Sequence, residues 1–430
     1  MMKKFLLASS IALIFSQVAF SNEQKEELPQ SRFESLTKLT QVIGTVEKYY
    51  VDDIKLEAIV NKAIKGLMEE LDAHSTFLDK KSTKEMSIQT NGEFGGLGIT
   101  VGMRDGALTI ISPIDGTPAY KAGVKAGDII LKIDNKSTLN MTLDEAVGLM
   151  RGKPKTKIDL TVVRKGENKP LKITITRDII KIDSVFVKTI NKDLLYLRIT
   201  SFDKNVTKSL IDGLKEHKNI KGIILDLRNN PGGLLTQAIG TVDLFVNSGV
   251  IVSQKGRDVT DEEKFYAKSS TTLTDAPMVV LVNGGSASAS EIVSGALQDH
   301  KRAVIVGEKT FGKGSVQAVL PIVKDRSENI KLTIAKYYLP SGRTIQAKGI
   351  TPDITSYPGK AVADDDSQFQ IKEADLKKHL KGELEKVDGI NKKDDKKSKD
   401  KMVITNEDIA NDNQLNSAIN ILKSLIIMNK

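Results

Sequence analysis

The sequence predicts a multi-domain α/β protein, and three observations predict it. Its 430 residues exceed what one ordinary core encloses, at roughly 150 residues per domain. The hydrophobic period changes along the chain, from three- and four-residue steps, to short alternating runs, to runs that are apolar throughout. Finally, the regular pattern is bracketed by a short apolar leader and a long charged stretch. These divisions give a leader (1–21), an N-terminal helical region (33–84), a β-rich module (92–178), an α/β core (185–355), a charged linker (360–405) and a C-terminal helix (406–430).

The leader begins Met1, Met2, Lys3, Lys4, runs apolar from Phe5 to Phe15, and ends in small and polar residues around Ala19 and Ser21. That is the layout of a secretory signal peptide, and its apolar part falls short of the ~20 residues that span a bilayer. Cleavage is expected near Ser21. An exported, periplasmic protein follows, with association to the inner membrane if the leader is retained. Zero cysteine excludes disulfides, thiol catalysis and thiolate metal sites, and agrees with export because a large core does without staples.

In the helical region, Leu36, Leu39, Val42, Ile43, Val46 and Tyr50, then Ile59, Ala63, Ile64, Leu67 and Leu71, recur at helical steps. Two amphipathic helices are expected, whose stripe needs the main body or a second subunit as cover. His74, in LDAHSTFL, is expected to be a structural histidine, since the local sequence offers it neither metal ligand nor nucleophile.

The next module alternates short strands (Gly98 to Gly102, Leu108 to Ile111, Ile129 to Ile133, Ile158 to Arg164, Leu171 to Thr176) around one helix, Leu143 to Met150, with glycine and proline in the gaps. The α/β core has strand candidates Leu194 to Ile199, Gly222 to Leu227, Met278 to Val282 and Ala303 to Val306. Runs such as GIILDLR and PMVVLVN are apolar on both faces, as in a largely parallel sheet with helices around it. From Asn411 to Met428, Leu415, Ile419, Leu422 and Ile426 mark a further helix face, suited to packing or dimerisation.

The net charge of +9 is spread, with lysines and acids interleaved, so no nucleic-acid partner is expected. The charge between Lys372 and Lys401 mixes both signs and reads as a solvated linker.

Chemistry concentrates at Asn283-Gly284-Gly285-Ser286-Ala287-Ser288-Ala289-Ser290-Glu291, a small-residue turn between a buried strand and a helix. A helix N-terminus presents unpaired N–H groups and partial positive charge, and tiny side chains admit a ligand to the backbone. A serine here suits a nucleophile, although serine and glycine are also common helix caps. It needs a base. His74, His217, His300 and His379 lack an obvious acidic orienter, which makes a Ser-His-Asp triad unattractive. Lysine is the alternative. Lys313 sits between Gly312 and Gly314 just after a buried strand, where burial can disfavour the ammonium and free a lone pair.

These segments resemble the C-terminal processing peptidases, whose nucleophile lies in GSASASE and whose lysine lies in FGKGxVQ. The resemblance spans about residues 35–355, including YVDDI, LDAHSTFL and KYYLPSGRTIQAKGITPD. It implies a crotonase/Clp-protease-like α/β protease core with an inserted PDZ-like domain, and a serine endopeptidase without cofactor or metal. Ser288 would be the nucleophile, Lys313 the general base and Gln317 the residue that positions the lysine. Four residues of strand would separate Lys313 from Gln317 by ~13 Å and a helical turn by ~6 Å, so direct contact demands a turn.

Acyl transfer also needs oxyanion donors, each worth roughly 3 kcal/mol. Ala289 N–H is one candidate. The other is Gly232 or Gly233 in DLRNNPGG, which the family resembles closely and which also reads as plain turn chemistry.

In the β module, Gly95-Gly96-Leu97-Gly98-Ile99 resembles a PDZ carboxylate-binding loop. Backbone N–H groups there, with Leu97, Ile99, Val147 and Met150 around an apolar pocket, would take a chain end with an apolar last residue. Arg151 matches an arginine that in some relatives couples this module to catalysis. Compatible partners are protein substrates with apolar tails, an activating adaptor and a second copy of the chain through the terminal helices. The rival readings are a catalytically silent binding protein on the same fold, which would lack the serine or lysine, and a trypsin-like PDZ protease, which would need a GNSGG-like segment absent here.

Overall fold

A computed structural model describes residues 29–104, 106–191, 193–258, 262–361 and 402–428. The leader and most of the charged linker lie outside them. The chain divides into two units, Met1–Leu71 and Asp72–Lys430. In the first, α1 (Pro29–Tyr49) and α2 (Leu56–Glu69) pair with one another, as the helical period predicts. Ile59 and Met68 are buried, while Phe33, Leu36, Leu39, Val42 and Leu67 are exposed.

The second unit opens with β1 (Thr76–Leu78) and α3 (Lys80–Asn91), then β2 (Glu93–Gly96) leads into the β-rich module. That module contains β3 (Ile99–Arg104), β4 (Ala107–Pro113), α4 (Pro118–Lys121), β5 (Ile129–Ile133), β6 (Lys136–Ser137), α5 (Leu143–Met150), β7 (Lys157–Val163) and β8 (Leu171–Thr176). Its sheet runs β3-β4-β5-β7-β8 with β6 on β5, and Ile110, Ile130, Ile133, Leu160 and Val162 fill its core. Helix α5 starts at a capping box: Glu145 accepts the Thr142 N–H at 2.8 Å and its own N–H reaches Thr142 Oγ1 at 3.3 Å. β9 (Asp178–Lys181) leaves the module antiparallel to β2, so entry and exit form one ribbon.

The α/β core follows with β10 (Val185–Ile190), β11 (Leu194–Ile199), α6 (Val206–Glu216), β12 (Gly222–Asp226), α7 (Leu235–Asp243), β13 (Val250–Lys255), β14 (Glu262–Tyr266), β15 (Met278–Val282), α8 (Ala289–Asp299), β16 (Val304–Gly307), β17 (Ser315–Pro321), β18 (Asn329–Tyr338) and β19 (Ile354–Thr355). The main sheet has the order β10-β11-β12-β15-β16-β19, parallel from β11 to β19 with β10 antiparallel at the edge. A second, antiparallel sheet was not expected: β1-β18-β13-β14, with β17 also on β18.

Alternation along the central strands explains why they read as apolar throughout. Leu195, Leu197, Ile223, Leu225, Val280 and Val282 share a cluster with residues of α6, α7 and α8, whereas Tyr196, Ile224, Val279 and Leu281 cluster with Leu415, Ala418, Ile419 and Leu422. The latter four belong to α10 (Asn413–Met428), preceded by the short α9 (Asn406–Ala410), where one continuous helix was expected. Each of the leucine and isoleucine side chains among them contributes about 1.5–3 kcal/mol on burial. Close approach of α10 to β12 depends on Gly222, since a Cβ there would sit 2.9 Å from the Leu422 side chain.

Candidate active site

The C-terminal ends of β12, β15 and β16 lie side by side, and each feeds a turn that carries expected site residues. Ligand sites of open parallel sheets form at such ends. After β12 comes Leu227–Gly233, after β15 comes Asn283–Ser288, and after β16 comes the loop that contains Lys313.

The first two turns are stitched together by polar contacts. Asn229 N–H donates to Asn283 Oδ1 and Asn283 Nδ2 donates to Asn229 Oδ1, both at 2.9 Å. Ser286 Oγ donates to Leu227 O at 2.8 Å, Ala287 N–H to Asn230 O at 3.0 Å, and Ser290 Oγ to the same carbonyl at 2.9 Å. Asn230, fully buried, donates to Ile199 O at 2.9 Å and accepts the Gly232 N–H at 2.9 Å. The asparagines of this segment are therefore structural ties, a role the bare turn signal concealed.

Ser288 ends the second turn with φ 53° and ψ −110°, a backbone state that non-glycine residues rarely adopt and that costs on the order of 1–3 kcal/mol. Its neighbours over-determine it. Every residue from Ala289 to Leu297 is buried, so α8 is anchored in the core and the serine is held at its N-terminus.

Glu291, fully buried, joins the serine turn to the lysine loop. One carboxylate oxygen accepts the Ser288 N–H and the Lys313 N–H, each at 2.8 Å. The other accepts Thr310 Oγ1 at 2.6 Å and the Gly312 N–H at 2.7 Å. Burial pushes this carboxyl above its ordinary range while the four donors pull it down. Sequence reading passed over Glu291 because it takes the place of an ordinary first-turn helix acid.

Lys313 is half-buried, and burial lowers its ammonium below the usual lysine range. Lys331 lowers it further, and Asp72 and Glu291 oppose both. Among the described residues no hydrogen bond joins Ser288 Oγ to Lys313 Nζ, nor Lys313 to Gln317. The expected turn between Lys313 and Gln317 is absent. The chain extends into β17, and Gln317 Nε2 instead donates to Ser315 Oγ at 2.7 Å and meets Thr333 Oγ1 at 3.4 Å.

At the oxyanion positions, Ala289 N–H opens α8 and is one of the donors its first turn leaves without a helical partner. Gly232 does not offer its amide, which is committed to Asn230. Its role is space: at φ 104°, a Cβ would lie 2.9 Å from Ser288 Cβ and 3.1 Å from Ala289 N. Gly233 presses against the Phe202 carbonyl, where a Cβ would come within 2.4 Å.

Beneath the glycine turn, Asp226 is fully buried and accepts Tyr196 Oη at 2.7 Å and Arg228 Nη2 at 2.6 Å. Arg228 also donates to Asp412 Oδ1 and Oδ2 at 2.9 and 2.8 Å and to Gln414 Oε1 at 3.1 Å. The segment around α10 thus anchors the strand end that precedes the glycine turn.

Among the described residues the histidines divide, and His379 lies outside them. His217 Nδ1 contacts Gly213 O at 2.9 Å and His300 Nε2 contacts Val250 O at 2.8 Å, both structural roles. His74 departs from the expectation that it has no functional neighbour, because burial and then the Lys313 charge push its imidazole below the usual range. Pairing of β1 with β18 brings it there, a contact invisible in the local sequence.

In the β module, Gly96-Leu97-Gly98 links β2 to β3. Leu97 O accepts the Ala119 N–H at 2.9 Å and Gly98 O accepts the Ile114 N–H at 2.9 Å. Gly98, at φ 75°, lies where a Cβ would strike Thr117. Leu97 and Met150 were expected to line a pocket, but both are buried in the module's core, while Ile99 and Val147 are only partly buried beside it. Arg151 stacks on Phe94 of β2 with its guanidinium carbon 4.8 Å from the ring centroid, and its Nε is buried without a partner among the described residues.

A family model described as peptidase family S41 matches residues 193–356, and one described as a PDZ domain matches 109–164. A carboxy-terminal-processing protease of Bartonella bacilliformis is 40% identical over 98% of this chain and 94% of its own length. The carboxy-terminal processing protease CtpA of Bacillus subtilis is 37% identical over 81% of this chain and 74% of its own. A solved photosystem II D1 C-terminal processing protease is 28% identical, with a TM-score of 0.44, over 75% of this chain and 87% of that one. The S41 match covers the turns that carry Ser288 and Lys313, and similarity extends over nearly the whole length, so the chain belongs to peptidase family S41, among the carboxy-terminal-processing proteases.

Proposed function

We propose that the chain is an exported serine endopeptidase that captures the apolar C-terminal tail of a protein through its PDZ domain and hydrolyses peptide bonds with Ser288 and Lys313. One observation carries the reading: a single buried carboxylate, Glu291, binds the backbone of both the strained serine and the lysine, fixing the two turns to each other.

In this mechanism neutral Lys313 Nζ accepts the Ser288 hydroxyl proton as Oγ attacks the scissile carbonyl carbon. Negative charge on the carbonyl oxygen is met by the Ala289 N–H, with the Gly233 N–H as second donor and Gly232 leaving room. The lysine ammonium then protonates the leaving amine as the C–N bond breaks, and water hydrolyses the acyl-enzyme by the same route. Since Ser288 and Lys313 are not hydrogen-bonded in this structure, the cycle includes rotation of the lysine side chain to the serine. Gln317 aligns it there through Oε1, which accepts from the lysine nitrogen, while Nε2 keeps its contact with Thr333 Oγ1. An exported form follows from the leader.

Ser288→Ala and Lys313→Ala should each abolish cleavage of a protein with an apolar tail, by at least ~10³-fold in kcat/KM, with thermal unfolding still cooperative. A digest of one substrate varied only in its last three residues tests capture at the same time. Normal turnover by either variant refutes the dyad, and turnover indifferent to the tail refutes PDZ capture.

A further inference from the structure

The turn before β1 carries a second set of polar groups into the same neighbourhood. Asp72 Oδ1 accepts the His74 and Ser75 N–H groups at 2.7 and 2.9 Å, and Oδ2 accepts Ser75 Oγ at 2.6 Å. Thr333, on β18, donates its N–H to Ser75 Oγ at 3.1 Å and its Oγ1 to Asp72 Oδ1 at 3.2 Å. Thr333 is also the register partner of Gln317, whose Nε2 meets its hydroxyl at 3.4 Å. A directional chain therefore runs from the Gln317 amide through Thr333 to a carboxylate on a different segment.

We propose that Asp72 is a positioning residue for the lysine, holding Gln317 through Thr333 and adding to Glu291 a second negative charge that acts on Lys313. This rests on the Ser288–Lys313 reading. It explains why the turn is built around a carboxylate, when a neutral asparagine could close the same backbone contacts.

The charged groups around Lys313 come from three elements: Asp72 and His74 from the turn, Lys331 from β18 and Glu291 from α8. Burial raises the Asp72 carboxyl, but its bonds from Ser75, His74 and Thr333 outweigh this and hold it below the usual range. Asp72 is thus ionised wherever Lys313 titrates. His74 is pushed down as well, by burial and then by the Lys313 charge. Removing that charge makes the ammonium less favourable, and Lys313 should lose its proton at lower pH.

The test is the pH dependence of kcat/KM for the mature enzyme on a peptide with an apolar tail. Asp72→Asn should move the acidic limb down by about half a unit or more, and Asp72→Glu, which keeps the charge, should return it toward the wild-type position. Thr333→Val should lower kcat by about tenfold with KM within about twofold. A D72N limb coincident with wild type, or a T333V enzyme with wild-type kcat, overturns the inference. Lys313→Ala in parallel keeps the readings apart: activity in that variant removes the dyad itself, whereas a dead K313A beside a wild-type D72N limb removes only the role of Asp72.

Discussion

The turns proposed for catalysis and the loop proposed for tail binding are built by opposite means. Around Ser288 the backbone is tied by buried polar side chains, with Asp226, Asn230, Ser286, Ser290 and Glu291 all essentially inaccessible and all hydrogen-bonded. Around the GGLG loop the ties are mainly backbone contacts and glycines in tight approach, such as the Gly152 N–H on Gly95 O at 3.0 Å, with one side-chain bond from Thr117 Oγ1 to Gly98 O at 3.0 Å, beside a core of aliphatic residues. Acyl transfer gains from donors fixed before charge develops, whereas a module that accepts many tails gains from apolar surface with few directional demands. The two sites should therefore fail differently when substituted.

The largest failure is expected at Arg228→Met. It leaves Asp412 without its cation and Asp226 with only Arg198, whose Nη1 lies 3.5 Å from Oδ2, and breaking a buried pair from one side costs about 3–5 kcal/mol. Urea unfolding of the isolated enzyme should show that loss together with lost activity. A loss under 1 kcal/mol would mean that the polar network does not hold the catalytic turns.

At the groove, Val147→Asn should weaken binding of an apolar-tailed peptide by about tenfold, equivalent to about 1.4 kcal/mol, with Tm within about 2 °C of wild type. Peptide titration and a thermal scan decide it. Undiminished affinity would place the tail elsewhere on the module.

The smallest effect separates stability from activity at one residue. Burial lowers Lys313 below its unfolded value of 10.5, so between the lowered value and 10.5 the unfolded chain binds more protons. This contribution makes wild-type stability rise with pH through that window, and below it the lysine carries its full penalty. Lys313→Met should remove both, raising Tm at pH 7 by about 1–3 °C and flattening its rise toward pH 10. A lower Tm for this inactive variant at pH 7 would contradict the cost assigned to the buried ammonium.

Legibility in the sequence followed the range of the forces involved. Leu194–Ile199, Met278–Val282, Ile129–Ile133 and Leu143–Met150 have the bounds their patterns predict, because burial on both faces, a short apolar run between turn residues or a capping box writes itself into adjacent residues. The second sheet escaped notice because β13, β17 and β18 are only partly buried and mix lysine, glutamine and serine with valine. Ser288 and Lys313 stand out in the sequence through their motifs. Glu291 and Asp72 were not, since a first-turn helix acid and a turn aspartate each have an ordinary local explanation. Their links to Lys313 arise from tertiary packing, in the case of Asp72 through pairing of β1 with a strand some 250 residues later.

The Arg228–Asp412 contact closes a span of 184 residues, and this gives the enzyme a built-in delay. Long loops close late in folding, since their entropy is lost before their contacts repay it. The strand end that leads into the glycine turn cannot acquire its last carboxylate partner until the segment around α10 has emerged and docked. The polar support beneath the glycine turn therefore belongs to the contacts expected to form late in folding, so loosening α10 should loosen a turn 184 residues away.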